Sequence, residues 1–495
     1  MGKIVTETIK KFDGGMQTDT RRVSPTGGRL IKNFDILSFP SKLKPYNSSE
    51  SGNDTAARAF STFLYGNSNK LYGLGVVSAT TKPKIFSKDT FTDGTWTEPS
   101  NGEGTSARNT NFFTYYKSAI YGAQGGTAFW KFLVSGAGFT DSDLAVTYST
   151  VSNGIVHSKD DILYVGYDNI IAKNNAGSWT LAALTLPSDY YITSICEYGN
   201  YLAIACAPAS SAGRAVSRVF LWDRDSSLTT LSESIDWGEG SLNVLEEYDG
   251  GLLGISILGN RLMIKYWASA FLKIGERKHL EFLLDANAAS TLSQQKQKAN
   301  DRIYFLLGAR IDGTGANNQF GVFSIGKNSD GVFALSLDRT PNNDTDPNSL
   351  VGFYLATVSG VDYMFISYND GSGNVQTSKT SESSTTFSHT STFKTQIFDS
   401  GVVRFPKTLV RVIVDTEPLP TAGSYTVGYR KDEETAYTTI FTHTTDNSLS
   451  HTAINIESTG STLPQYNEIQ FQITATGGAT ITGFSFEAEI TDKAI

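Results

Sequence analysis

Five histidines are scattered over the chain at His157, His279, His389, His443 and His451, and the nearest two are eight residues apart. That spacing fits no pattern by which paired imidazoles hold a transition metal, so no metal site is expected. No glycine-framed serine elbow, phosphate loop or dinucleotide fingerprint occurs, so no catalytic residue and no cofactor is assigned. Glu246-Glu247 and Asp160-Asp161 have the right side chains for acid–base work. Each pair falls in or beside a predicted hairpin turn, however, and is expected to be solvated. Asp344 and Asp346, within the polar stretch Lys327–Asn348, offer oxygen ligands but lack the glycine and distal glutamate of a calcium loop, so a turn is expected there. Cys196 and Cys206 share one predicted hairpin, the first facing Ala203 and the second the neighbourhood of Thr193. They do not face each other and are expected to be buried small hydrophobes.

The hairpin that carries them, Ile192–Ala207, is the unit the rest of the chain repeats. Two short apolar runs flank the turn Tyr198-Gly199-Asn200. The same shape recurs from Ser61, Asn111, Asn153, Leu242, Ser293 and Gly352, with turns near positions 68, 118, 159, 199, 249, 300 and 360. Most copies are followed by a further strand-like run, such as Ala128–Val134 or Leu262–Trp267. A hairpin with one or two outer strands in each unit of roughly 40 to 60 residues describes a β-propeller blade. The chain is therefore expected to be all-β, with a propeller of about seven blades over residues 46–388. Leu71, Ile120, Leu163, Leu202, Leu252, Ile303 and Tyr363 should occupy equivalent places in it. Two near-identical segments, Gly94-Thr95-Trp96-Thr97 and Gly177-Ser178-Trp179-Thr180, should place a tryptophan on the outer strand of a blade, packed against a neighbour. Ser87-Lys88-Asp89 and Thr92-Asp93-Gly94-Thr95-Trp96 are similar to the aspartate box of sialidase propellers, but Gly94 directly follows Asp93 where one residue should intervene. Such a box is a turn motif and not a catalytic one. Helical periodicity is weak throughout, with Glu276–Ala289 the nearest approach.

Composition divides the rest. Residues 1–45 carry nine Lys or Arg against four Asp or Glu, a balance of +5, and the remainder carries −13. This basic segment lacks strand alternation and holds turn chemistry at Asp13-Gly14-Gly15, Ser24-Pro25 and Gly27-Gly28, so an extended N-terminal docking arm is expected. A short strand near Ile31–Ile36 would join the last blade and close the ring. Arg21, Arg22, Arg29 and Lys32 are the candidate partner-docking residues. Deleting residues 2–30 should, on this reading, leave the propeller folded. Thr380–Ser391 reads as a linker, and residues 389–495 hold about seven strand-like runs, a β-sandwich of jelly-roll or immunoglobulin-like form. Glu468–Ile473 and Phe484–Glu489 alternate cleanly between apolar and polar. The start of the chain shows no signal peptide and no run reaches transmembrane length, so folding in a reducing cytoplasm without membrane insertion is expected. With no basic aromatic face, specific nucleic-acid binding is not expected.

The arm with Gly14-Gly15, Asp19, Arg21-Arg22 and Asn33-Phe34-Asp35-Ile36, the propeller, and a final sandwich opening Gln396-Ile397-Phe398-Asp399-Ser400-Gly401 together resemble virion structural proteins of tailed bacteriophages. The resemblance implies a non-enzymatic tail, neck or baseplate component. It would assemble as a homo-oligomeric ring with other virion proteins in the host cytoplasm. The alternative is a carbohydrate- or receptor-binding tail protein that engages a host surface glycan, or a glycoside hydrolase, because propellers and sandwiches both present sugar-binding loops.

Overall fold

The computed structural model describes residues 3–16, 27–46, 49–51, 59–65, 70–76, 83–88, 96–97, 112–124, 126–135, 138–209, 216–227, 231–259, 261–268, 278–283, 291–308, 321–341, 349–358, 361–369, 375–380, 390–401, 405–444, 451–459 and 463–490. Each of the seven predicted hairpins forms the first two strands of an antiparallel sheet. Blade one has Ala59–Tyr65, Leu71–Val76 and Pro83–Lys88, with Ser87 bridging Thr97 as an outer step. Blades two to six have four strands each and begin at Phe113, Val151, Tyr190, Ser241 and Thr291. Blade seven has Ser349–Val358, Val361–Asn369 and Val375–Thr380. Its fourth strand is Ser49–Ser51, paired with Ser378, Lys379 and Thr380, so a segment from before blade one completes the last blade. The inner strands neighbour one another in order from blade one to blade seven and back to blade one, which closes a β-propeller. Glu276–Ala289, the nearest approach to a helix, contains the strand Lys278–Leu283, and the expected insertion Lys327–Asn348 contains blade six's outer strand Phe333–Arg339.

Register shows how closely the repeat is kept. Ile120, Leu163, Leu202, Leu252 and Ile303 each sit in the second cross-strand pair from the hairpin turn. Leu71 lies in the first pair and Tyr363 in the third, so the equivalents there are Tyr72 and Asp362. Six inner strands carry a register shift, and blade two lacks one. In blades one, four, five and seven the shift skips a single residue, Ser61, Thr193, Asn243 and Val351. A bulge re-aims side chains, and the inner strands use polar ones to grip the next blade's backbone. Asn153 of blade three both donates to the Ile195 carbonyl and accepts from the Ile195 N–H, each at 2.9 Å. Gln297 of blade six accepts from the Leu355 N–H of blade seven at 2.8 Å. Gln295 accepts from Phe353 N–H at 3.1 Å.

Farther out, aromatics pack across the seams. Trp179 on blade three's outer strand lies against Tyr121 and Phe129 of blade two and donates to Asp143 Oδ2 at 2.7 Å. Trp96 beside blade one packs edge-on to Phe365 of blade seven, as its sequence context predicts. The two cysteines are buried and free, Cys196 opposite Ala203 and Cys206 opposite Ile192 beside the bulged Thr193.

The expected docking arm is corrected by the structure. Lys3–Ile9 pairs antiparallel with Ile481–Ile490 as the edge of one sandwich sheet, which continues through Lys407–Thr416 to His451–Asn455. Gly28–Lys32 pairs with Ser391–Thr395 in the other sandwich sheet and, through Lys32 and Leu337, runs parallel to the outer strand of blade six. It does not join the last blade. One nine-stranded sheet therefore runs from blade six through Gly28–Lys32 into the sandwich. Ile9, Phe12, Met16, Leu30, Ile31, Phe34, Ile36 and Leu43 are all buried in the one core that joins blades five and six to the sandwich. Burial on the order of 1.5–3 kcal/mol per such side chain supplies what a lone arm lacks. The chain also approaches blade six closely enough that a Cβ on Gly15, at φ 72°, would stand 2.8 Å from Leu335 N.

Asn33 fixes the junction. Buried and at φ 61°, it donates from its backbone to the Leu337 carbonyl at 2.9 Å, while its amide donates to Thr340 Oγ1 at 3.1 Å and the Thr390 carbonyl at 3.2 Å. Its Oδ1 accepts from Thr340 N–H at 3.0 Å. Asn33→Ala should cost about 2–4 kcal/mol, from orphaned buried partners and a left-handed alanine, and Asn33→Gly less, because the backbone strain is relieved. Phe12→Ala should cost about 3–5 kcal/mol. Deleting residues 2–30 should abolish cooperative melting of the sandwich. Near-unchanged denaturant midpoints for all of these would restore the free-arm reading.

Candidate functional site

The candidate docking residues divide. Arg21 and Arg22 lie outside the described residues. Arg29 and Lys32 are half-buried on Gly28–Lys32, between blade six and the sandwich, and are part of the protein's own seam. Asp344 and Asp346 also lie outside the described residues.

Of the carboxylate pairs, Asp160-Asp161 is exposed as expected, whereas Glu246 and Glu247 are half-buried, and all four carboxylates are engaged by cations. Glu246 pairs with Lys296 Nζ at 3.0 Å, and Lys296, nearly buried, also donates to the Leu245 carbonyl and, at 2.9 Å, to that of Ile195. One inner-strand lysine of blade six thereby ties blades four and five. Glu247 pairs with Lys298 and Asp161 with Lys117. Asp160 accepts from Arg224 at 3.0 Å and from the Tyr164 hydroxyl at 2.9 Å. Arg224 donates as well to Nδ1 of the buried His157 at 2.8 Å. Burial and then the Arg224 charge lower the His157 pKa, which keeps the ring neutral and an acceptor. These groups are clamps between blades. Among the described residues no three His, Cys, Asp or Glu side chains are placed to hold a metal ion.

A different cluster, which the sequence did not single out, gathers where the N-terminal segment crosses blades six and seven. Arg302 begins the second strand of blade six, right after the turn Asn300-Asp301, whose two residues have φ of 49° and 55°. Its Nη2 donates to Asp35 Oδ1 at 2.7 Å and to Ser38 Oγ at 2.5 Å. Its Nη1 donates to the Tyr46 hydroxyl at 3.0 Å and reaches Asp338 Oδ2 at 3.5 Å. Arg339 lies over the Tyr46 ring at 4.9 Å, and Lys44 over Phe39 at 4.3 Å. These residues, with Tyr304, Leu355, Met364 and Thr380, line a cavity of about 280 Å³. The signal available in sequence was weak: a charged residue at the end of each of two apolar strands, RIYFLLG and FALSLDR.

Burial dominates the electrostatics here. It pushes Asp338 up to about 6, against the opposing pull of Arg302 and with Asp35 adding to the rise. The longer 3.5 Å contact explains why the guanidinium does not win, since its shorter bonds go to Asp35 and Ser38. Burial, then Asp338 and Asp35, hold the Tyr46 phenol well above its ordinary value. Burial lowers Arg339. A carboxyl that can hold a proton near neutrality, facing a cavity, is the arrangement found at sites that bind or exchange protons.

No family model and no curated protein matches the chain. Among solved structures it is similar to BBS1N in complex with ARL6DN (TM-score 0.42, 9% identity, covering 68% of this chain and 97% of that chain). It is similar also to YCF48 bound to D1 peptide (0.43, 10%, 72% and 99%). The N-terminal domain of Nup159 gives 0.39, 10%, 70% and 97%. The propeller rests on the strand pairing above, and these likenesses extend it to no function.

The Asp338 shift has a measurable sign. In the unfolded chain the carboxyl loses its proton near 3.9, whereas in the folded protein it does so at about 6. Between those values the folded state holds more protons, so this group's contribution to stability falls as pH rises through the window and is flat above it. The difference in unfolding free energy between wild type and Asp338→Asn should therefore drift against wild type by up to a few kcal/mol from pH 4 to pH 6. A difference that is flat, or that drifts the other way, would place the carboxyl at an ordinary or depressed pKa.

Proposed function

We propose that this chain is a non-enzymatic structural component of a tailed-bacteriophage virion, a tail, neck or baseplate protein that builds a symmetric ring in the host cytoplasm. The observation that favours it is the continuous nine-stranded sheet that makes propeller, N-terminal segment and sandwich one stiff body. A particle component must transmit load between neighbours without yielding at a hinge. Inter-domain contacts within one chain otherwise allow relative motion. The clamps described above supply a second support, because the ionisable groups at the blade turns are engaged with one another and not displayed around a reacting centre.

Neighbour contact then falls to surfaces other than the buried segment. Met16 and Gly28 form a parallel bridge, and Gly28 N–H donates to the Gly15 carbonyl at 3.0 Å. Arg21 and Arg22 fall between these two positions in the sequence, outside the described residues. Arginine forks there suit carboxylates on an adjacent chain. Arg21→Glu with Arg22→Glu should cut incorporation into particles at least tenfold while leaving the melting temperature unchanged. Particles that form normally with the double variant would reject this contact. Particles of complete mass that lack the chain would reject the virion role altogether.

A further inference from the structure

Behind the cavity at the seam of blades six and seven lie buried polar atoms with no hydrogen-bond partner: Asp338 Oδ1, Ser324 Oγ, Ser336 Oγ and Ser378 Oγ. Their placement is not scattered. Ser324 pairs across the sheet with both Tyr304 and Ser336, so these three share one face of blade six, and Asp338 is the residue skipped at that strand's register shift. Tyr304 and Asp338 line the cavity. Ser378 is the next residue but one before Thr380, which lines it from blade seven. Each of the four unpartnered residues is at most 1% exposed. Buried polar groups are almost always satisfied, so an orphan cluster beside a cavity marks a place shaped for something that supplies hydrogen bonds.

The lining narrows what that is. The open position on Asp338 is an acceptor, and it calls for a donor. An ammonium would meet Lys44, Arg302 and Arg339 in the same wall. An anion would be set against Asp35 and Asp338, while both terminal nitrogens of Arg302 are already engaged by Asp35, Ser38, Tyr46 and Asp338. A hydroxyl escapes both penalties and can donate to the Asp338 carboxylate. Phe39, Tyr46, Leu355 and Met364 offer apolar surface for carbon-bound hydrogens. At about 280 Å³ the space is at the lower edge of small-ligand cavities, which run roughly 300–1,000 Å³. We propose that this cavity binds a single neutral sugar ring or a polyol of similar size, with a ligand hydroxyl donating to Asp338. The inference is independent of the assembly role, since the isolated chain suffices to test it.

The experiment is ligand-observed saturation-transfer NMR, followed by calorimetry, on the full chain. The neutral probes are glucose, galactose, mannose and glycerol, and the charged ones are glucuronate, inorganic phosphate and ethanolamine. At least one neutral probe should bind saturably, and Asp338→Asn should weaken it tenfold or more. Leu355→Phe, which narrows the cavity without touching the ion cluster, should weaken it comparably and decides the matter if Asp338→Asn does not fold. No saturable binding of any neutral probe overturns the proposal, as does binding confined to the charged probes. Neutral binding that survives Leu355→Phe unchanged lies elsewhere on the molecule and overturns it equally.

Discussion

The architecture depends on the backbone pairing of Gly28–Lys32, five residues that hydrogen-bond to the sandwich on one side and reach blade six on the other. A propeller blade ends in an edge strand, and an edge strand presents unpaired donors and acceptors. Blade six resolves its edge by passing it to this strand, which in turn starts a sandwich sheet. Phe12 packs edge-on against Phe393 at 5.4 Å across the joint, and Lys42 pairs with Glu417 at 2.6 Å beside it. The result is one core and not two cores with a tether.

A second constraint governs the ring. Inner strands crowd around an axis where side chains from several blades meet, and apolar packing alone does not fix the angle between blades. Directional bonds do. Asn153, Gln295, Gln297 and Lys296 each hold the backbone of another blade, which explains why blade six's inner strand can read TLSQQKQKA and still form the wall of a closed ring. Charge at the turns acts in the same way, through Asp160 with Arg224 and Glu247 with Lys298.

Much of this was legible in the sequence, and what was not has physical causes. The hairpins announced themselves because each is local: two runs and a turn whose pairing needs no distant partner. The N-terminal segment was misread because its apolar residues follow no period. Ile9 faces a sandwich sheet, Phe12 meets Phe393, and Phe34 lies between blade and sandwich, so every buried side chain answers to a different neighbour. The closing strand, Ser49-Glu50-Ser51, has no apolar residue to betray it. The Arg302 cluster was hidden for a related reason: Asp35, Arg302 and Asp338 come from three separate stretches, and only the crossing of the N-terminal segment over blade six brings them together.

The pairing of Lys3 with Ile490 and of Gly28 with Thr395 has a consequence for how the chain is made. During synthesis the first strands leave the ribosome long before the strands that will cover them, and blade seven cannot receive Ser49–Ser51 until nearly all blades exist. Local hairpins can form as they emerge, but ring closure must wait for Val375–Thr380 and the sandwich for Ile481–Ile490. The nascent protein therefore spends most of its translation with two unsatisfied strand edges and the apolar faces of Phe12, Leu30 and Ile31 in water. That interval is when it is most exposed to self-association or capture by chaperones. Once Ile481–Ile490 docks, unfolding must break its pairing with Lys3–Ile9 as well as the Gly28–Lys32 joint.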